Sequence, residues 1–292
     1  MGTFGVGLYD DDTAADLKSS LSILCTIPVT GDRLLDILLR QYDGDVALSD
    51  EAGPTFWLVV ADQFERRGIH CQTAFERALA AITSGVDLDN LRARGMGARE
   101  LAKRATLLQE IAIRLQSPRA ERKLPKTPKP PECVVQAGEV YAFPTWSGRA
   151  VNAWVLDKPS VDIPPDGWGA LLILECGRVF DWLPWCAVAS LTVDPARPVD
   201  MNAVLQSKLL LHLQTKGAAL CVPKKSHVQR MQMLRMGELR LDSQRAHEAT
   251  SKTVSAEAAT NMGWSISAAA YGANFGEKLP QGATVASLLA TV

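Results

Sequence analysis

The chain is short of the residues that build most recognisable active sites. It has four histidines in 292 residues. Its six cysteines (Cys25, Cys71, Cys133, Cys176, Cys186, Cys221) stand no closer than ten apart, so zinc-ribbon, thioredoxin-like and haem-attachment readings have no footing. Net charge is missing too: 31 basic against 32 acidic side chains leave -1, which excludes nucleic-acid binding through overall positive charge. Aromatics make up only 6%. The opening Gly2-Thr3-Phe4-Gly5-Val6-Gly7 satisfies neither G-x-x-x-x-G-K-[ST] nor G-x-G-x-x-G, and reads as an extended N-terminus tucked against helices. Val6 stands where a myristoylation signal needs Ser or Thr. Ala258 to Gly276 is uncharged for nineteen residues, but Asn261, Ser265, Ser267, Asn274 and three glycines make it too polar for a bilayer core. Asp10, Asp11 and Asp12 interrupt the start where a secretion signal needs an apolar stretch. A cytoplasmic protein with reduced thiols is therefore expected.

What is present is an ordinary globular composition, 47% hydrophobic and 22% charged, with length for two domains. Charge shows the organisation. Residues 1–116 carry 12 basic and 17 acidic side chains, residues 117–132 carry 5 and 2, residues 133–200 carry 4 and 8, and residues 201–292 carry 10 and 5. The short basic piece also holds Pro118, Pro125, Pro128, Pro130 and Pro131. Each proline fixes its own φ and moves its predecessor away from helix, so 117–132 is expected to be an extended linker.

Before the linker, the apolar period is helical. Leu17, Leu21 and Leu24 follow acidic residues suited to a helix start. Leu34, Leu35, Leu38, Leu39 and Tyr42 follow Thr30 as a cap. Pro54 opens a helix with Phe56, Trp57, Val60 and Phe64 that stops at Gly68, and Phe75, Leu79 and Ile82 form a stripe ending at Gly85. Leu101, Ala105, Leu108, Ala112 and Leu115 are spaced by four, three, four and three. Four to six packed helices are expected over 1–116.

After the linker, strand formers take over. Glu139 to Pro144 and Arg149 to Asp157 flank Ser147-Gly148 as a hairpin, Trp168 to Cys176 is a third strand, and Val179 to Trp182 a fourth across Gly177. Met201 to Leu213 is expected to be a helix with Leu205, Leu209 and Leu213 (or Val204) on one side and His212 as a structural histidine, with Ala218 to Val222 a buried strand. The fold expected is α+β: an all-α domain over 1–116, the linker, and over 133–292 a small mixed sheet or partial barrel with one covering helix.

Few residues promise chemistry. Asp10, Asp11, Asp12 and Asp16 have hard-cation ligand chemistry, but helix capping and dipole compensation account for the first three, and no metal or cofactor is expected. Cys221 and His227 are six apart and would make a nucleophile and base if a turn joined them, which is the enzyme alternative. Lys224, Lys225, Arg230, Arg235, Arg240 and Arg245 have the charge to touch phosphates, but no recognition motif accompanies them, so nucleic acid is the least favoured partner. The strongest feature is aromatic. Five of the seven tryptophans fall between 146 and 185, and indoles serve both as core and as interface hot spots. Trp146, Arg149, Trp154, Arg178, Trp182 and Trp185 are the candidate partner-binding residues.

The string Met1 to Asp16 (M-G-T-F-G-V-G-L-Y-D-D-D-T-A-A-D) resembles the opening of a widespread group of uncharacterised bacterial proteins, in which tryptophan usually stands where Phe4 does. The likeness continues through Phe56 to Phe64, Arg77 to Gly85 and Leu101 to Arg104. Ala137 to Pro144 and Arg235 to Asp242 resemble predicted immunity proteins of bacterial polymorphic toxin systems. The resemblance carries no catalytic residues. It implies a bacterial intracellular protein that binds another macromolecule, and the function expected is a non-enzymatic protein-binding module that neutralises a toxin by stoichiometric binding.

Overall fold

The computed structural model describes residues 5–42, 44–126, 128–146, 149–150, 164–212, 217–250 and 278–291. The chain divides into two compact units, residues 1–129 and 130–292.

Unit 1 contains six described α-helices, α1 (Asp12–Leu24), α2 (Gly31–Leu39), α3 (Gly53–Arg66), α4 (Gln72–Ser84), α5 (Val86–Ala93) and α6 (Ala98–Gln116). Local chemistry sets their ends. The Asp11 carboxylate accepts the Ala14 N–H to start α1, and the Thr30 hydroxyl accepts the Arg33 N–H to start α2. Proline lies in the first turn of α3. Gly68, at φ 62°, turns the chain after α3, a left-handed conformation that costs glycine little. Helix α3 is the centre of the unit, with Phe56, Trp57, Leu58, Val59, Val60, Ala61 and Phe64 all buried. Helix α6 buries Leu101, Arg104, Leu108, Ile111 and Leu115, so the inward stripe holds Arg104 and Ile111 in place of Ala105 and Ala112. Helix α5 has no apolar stripe that would reveal it. It forms because Asp87 is buried against Arg104, which grips both carboxylate oxygens at 2.9 and 3.0 Å.

The start of the expected linker is part of this unit. Arg122 donates to the carbonyls of Cys25, Ile27 and Val29, its own N–H reaches the Gly68 carbonyl at 2.7 Å, and His70 Nε2 meets the Arg119 carbonyl at 2.8 Å. The Ile27 carbonyl also accepts the Val29 N–H at 2.9 Å, so the guanidinium fork adds a second donor there and supplies the Cys25 and Val29 carbonyls just beyond the end of α1.

Unit 2 is a curled antiparallel half-barrel, so the partial-barrel expectation is the one realised. Its strands are β1 (Glu139–Trp146), β2 (Arg149–Ala150), β3 (Gly167–Val179), β4 (Leu183–Leu191), β5 (Lys208–His212), β6 (Ala219–Cys221), β7 (Leu234–Glu238) and β8 (Lys278–Thr284). The order is β2-β1-β3-β4-β5-β8, with β6 also on β4 and β7 also on β1, and every described pairing is antiparallel. Short helices α7 (Met201–Gln206), α8 (Lys225–Arg230) and α9 (Ser243–Thr250) complete it.

Both faces of the sheet are buried. Val140, Ala142, Leu172, Ala187 and Ala189 pack with Val204 of α7 and with Val285 and Leu288 on one side. Tyr141, Phe143, Leu171, Ile173 and Val188 pack with Val135, Met231 and Met233 on the other. The single covering helix expected from sequence is thus replaced by cover on each face.

Two strand expectations are corrected. Gly177 does not break β3; a Cβ there would come within 2.6–3.0 Å of the Trp185 indole, so glycine lets that ring lie flat on the strand. The turn comes later, at Phe180 and Asp181, both at φ 54°. The helix expected over Met201 to Leu213 ends at Gln206, and Leu209 and His212 belong to β5. A spacing of four leucines cannot distinguish a helix from a short helix followed by a strand with both faces buried. Residues 151–157 of the expected second strand, Ser147-Gly148 between β1 and β2, and Ala258 to Gly276 lie outside the described residues.

Replacing Arg122 with Ala removes the side-chain donor from the Cys25 and Val29 carbonyls, leaves Ile27 only its bond from the Val29 N–H, and is expected to cost unit 1 about 2–3 kcal/mol. A lower urea midpoint with faster amide exchange over residues 25–31 is the measurement.

Candidate functional site

Of the six candidate partner-binding residues, the four with described side chains, Trp146, Arg178, Trp182 and Trp185, fall into two separate groups. Trp146 ends β1 and is the register partner of Arg149 on β2. Arg178, Trp182 and Trp185 cluster at the β3–β4 hairpin. Thr145 pairs with Gly167, the first residue of the thirteen-residue β3, while the hairpin follows its last residue, Val179. At about 3.3 Å per residue, roughly 40 Å of strand separates the two groups. Trp154 and the Arg149 side chain lie outside the described residues.

The hairpin group has structural work. Trp185 lies over Gly177 and packs on the sheet core. Arg178 donates to the Pro131 carbonyl at 2.8 Å. Trp182 is half-buried, and its indole N–H is buried without a hydrogen-bond partner.

Trp146 differs. It is 47% exposed, and Leu234 of β7 is 53% exposed; they are the large hydrophobics left exposed among the described residues of unit 2. Strands β2 and β7 pair along the same side of β1, β2 at Thr145 and Trp146, β7 at Glu139 to Ala142. Leu234 stands opposite Ala142. Side chains two and four residues apart on a strand share a face, so Leu234, Ala142 and Trp146 do. The two exposed side chains therefore sit about 13 Å apart on one face at one edge of the sheet. Leu234 went unnoticed in the sequence because its neighbours Arg235, Gly237 and Glu238 mask any strand pattern.

The richest polar constellation is elsewhere, on α3 in unit 1. The Asp62 carboxylate is fully buried, yet it accepts from the Tyr9 hydroxyl, from Arg66 at 2.7 Å and from Arg114. Glu65, also buried, accepts from Arg114 at 2.7 Å and Arg119 at 3.1 Å. Gln63 donates to the Tyr9 hydroxyl oxygen. Burial pushes both carboxyls up, but the hydrogen bonds, from Arg114, Tyr9 and Arg66 on Asp62 and from Arg119 and Arg114 on Glu65, overcome it and hold both below the usual carboxylate range. Burial, reinforced by Asp62, raises the Tyr9 phenol. Each charge is answered inside the cluster, an arrangement suited to holding α3, α6 and the N-terminal segment together. The N-terminal string does the same work: Asp10 accepts the Gly7 N–H at 2.7 Å, Leu8 is buried, and Asp11 caps α1 and pairs with Arg94.

A cleft of about 600 Å³ in unit 2 is lined by Gly138, Leu174, Glu175, Cys176, Arg240 and Ser243 among others. His247 Nδ1 lies 3.1 Å from Glu175 Oε2 near its wall. Among the described residues, no cluster of His, Cys, Asp and Glu has the geometry to hold a metal ion.

The environment of Cys221 does not suit the nucleophile of the enzyme alternative. Cys221 is fully buried on β6 and its thiol donates to the Ala219 carbonyl, so a substrate has no approach. His227 sits on α8 with its Nδ1 buried and unpartnered, and burial, then Lys224 and Arg230, lowers its basicity. The basic stretch is dispersed over α8, β7 and α9. Arg235 is spent on Glu139 and Glu238, and Arg245 donates to the Ser287 carbonyl.

No family model, curated protein or solved structure matches the chain. No helix among the described residues is long and apolar enough to cross a membrane.

The depressed Asp62 and Glu65 carboxyls contribute stability that is fully present above the ordinary carboxylate range and is lost as pH falls through and below it. Thermal unfolding is expected to move to lower temperature between about pH 5 and pH 2. Asp62→Ala leaves Arg66 and the Tyr9 hydroxyl without their acceptor while Arg114 keeps Glu65, and is expected to cost about 1–3 kcal/mol at neutral pH, with a shallower acid limb in a plot of Tm against pH.

Proposed function

We propose that this protein acts in a bacterial cytoplasm by binding a protein partner without transforming it, as an immunity-type protein that neutralises a toxin by stoichiometric occlusion. The observation that carries this reading is the pair of exposed apolar side chains, Trp146 and Leu234, on one face at one edge of the sheet. Exposed indoles at a sheet edge are hot-spot chemistry: they bury a large area at small entropic cost. The charged groups of α3 answer one another, and stoichiometric occlusion asks only for complementary surface and charge. The resemblance of Ala137 to Pro144 and Arg235 to Asp242 to predicted immunity proteins supports the same reading, and these strings flank the two exposed residues in β1 and β7. The excess of acidic residues over 1–116 favours a basic toxin. A stable complex would bury about 1,200–2,000 Å² in total.

Co-expression with toxins encoded beside the gene is the test. The unaltered protein is expected to restore growth and to form a one-to-one complex with one of them. Trp146→Ala combined with Leu234→Asp is expected to weaken that complex by at least tenfold, about 1.4 kcal/mol or more, with unfolding unchanged. Failure to neutralise any neighbouring toxin, or full rescue by the double variant, overturns the reading.

A further inference from the structure

Three cysteines lie in one row across three neighbouring strands. Cys176 of β3 stands opposite Cys186 of β4, and Cys186 stands opposite Cys221 of β6. The hairpin loop settles how the first two face each other. It closes through the Trp182 N–H donating to the Val179 carbonyl at 3.0 Å, and Val179–Leu183 is the last register pair. Hydrogen-bonded and non-hydrogen-bonded pairs alternate along an antiparallel ladder. Counting back from Val179–Leu183, Gly177–Trp185 is hydrogen-bonded, while Arg178–Pro184 and Cys176–Cys186 are not. Pro184 agrees, since it has no N–H to give β3. In a non-hydrogen-bonded pair the Cα atoms stand about 4.5 Å apart and the side chains are at their closest. That lies within the span of about 4.4–6.8 Å that a disulfide needs.

Access divides the pair. Cys176 is partly exposed where it packs against the face that holds Ile173, Val188 and Cys186, whereas Cys186 is fully buried in that face. The Cys176 sulfur lies 3.6 Å from the Val135 carbonyl, toward the segment that begins at Cys133.

We propose that Cys176 and Cys186 are a redox modification site, converted to a cross-strand disulfide by a small-molecule disulfide that reaches the partly exposed Cys176 first. The Cys176 thiolate attacks one sulfur of the incoming disulfide, whose S–S bond breaks and releases one thiol. The Cys186 thiolate then attacks the Cys176 sulfur of the mixed disulfide and releases the second thiol. The two cysteines lose two protons and two electrons, and the small disulfide is reduced to two thiols. The product locks β3 to β4 just before the hairpin loop. Burial, with Cys133, Glu139 and Glu175 adding to it, pushes the Cys176 thiol up to about 12. The thiolate is therefore scarce at neutral pH, and the first step is expected to speed up about tenfold per pH unit from 7 to 9. The proposal does not rest on the docking reading.

The test exposes the reduced full-length protein to oxidised glutathione, alkylates the remaining thiols and maps unreduced peptides by mass spectrometry. The expected product has lost two hydrogens, carries four alkylated cysteines and joins the Cys176 and Cys186 peptides. Cys176→Ser is expected to leave its five cysteines reduced, and it is the informative variant because Cys186 lies in the core. A link from Cys176 to Cys133, a glutathione adduct that persists on Cys176, or six alkylated cysteines after long exposure at pH 9 overturns the proposal.

Discussion

Two carboxylates on a buried helix constrain unit 1 more than any apolar contact does. Helix α3 is enclosed on nearly every side, yet it carries Asp62 and Glu65 inward. A buried carboxylate without partners is costly enough that cations and donors must be delivered to it from the rest of the chain. Tyr9 comes from the N-terminal segment, Arg66 from the next turn of the same helix, Arg114 from α6 and Arg119 from beyond it. The positions of those four elements follow from that demand. Arg104 repeats the device on a smaller scale, holding α5 to α6 through Asp87.

Unit 2 answers a different constraint. A sheet covered on both faces must supply apolar side chains at successive positions, and this one does so along β1, β3 and β4. Among the described residues, aromatics and thiols are drawn into that role, Tyr141 and Phe143 in one face, Trp185 against Gly177, and Cys186 among Val188 and Ile173. What stays exposed is therefore informative. Trp146 and Leu234 lie where the cover ends, and Cys176 lies where the sheet meets the cleft. Glu139 ties this edge together, accepting from the Gln136 N–H, the Tyr141 hydroxyl and Arg235.

Much of unit 1 was legible because its signals are local. Helices α1, α2, α3, α4 and α6 announce themselves through apolar spacing, through Asp11 and Thr30 as caps, and through Gly68 and Gly85 as stops. Helix α5 was not, since its reason for existing is a partner seventeen residues away. Strand β4 was hidden by its own burial: an unbroken apolar run around Pro184 has no period to read. The six residues taken as one site were grouped by their nearness in sequence, and a hairpin of long strands carries such neighbours to opposite ends.

The sequence by itself determined the α+β order, the helical first half, the stretch of prolines and the absence of recognisable catalytic motifs, because spacing and capping act over a few residues. Only the tertiary structure decided that Arg122 binds the start of the linker to unit 1, that Cys221 is sealed away, and that Leu234 joins Trp146. Those outcomes depend on strand register and on which distant groups meet, and neither is encoded in any short stretch of chain.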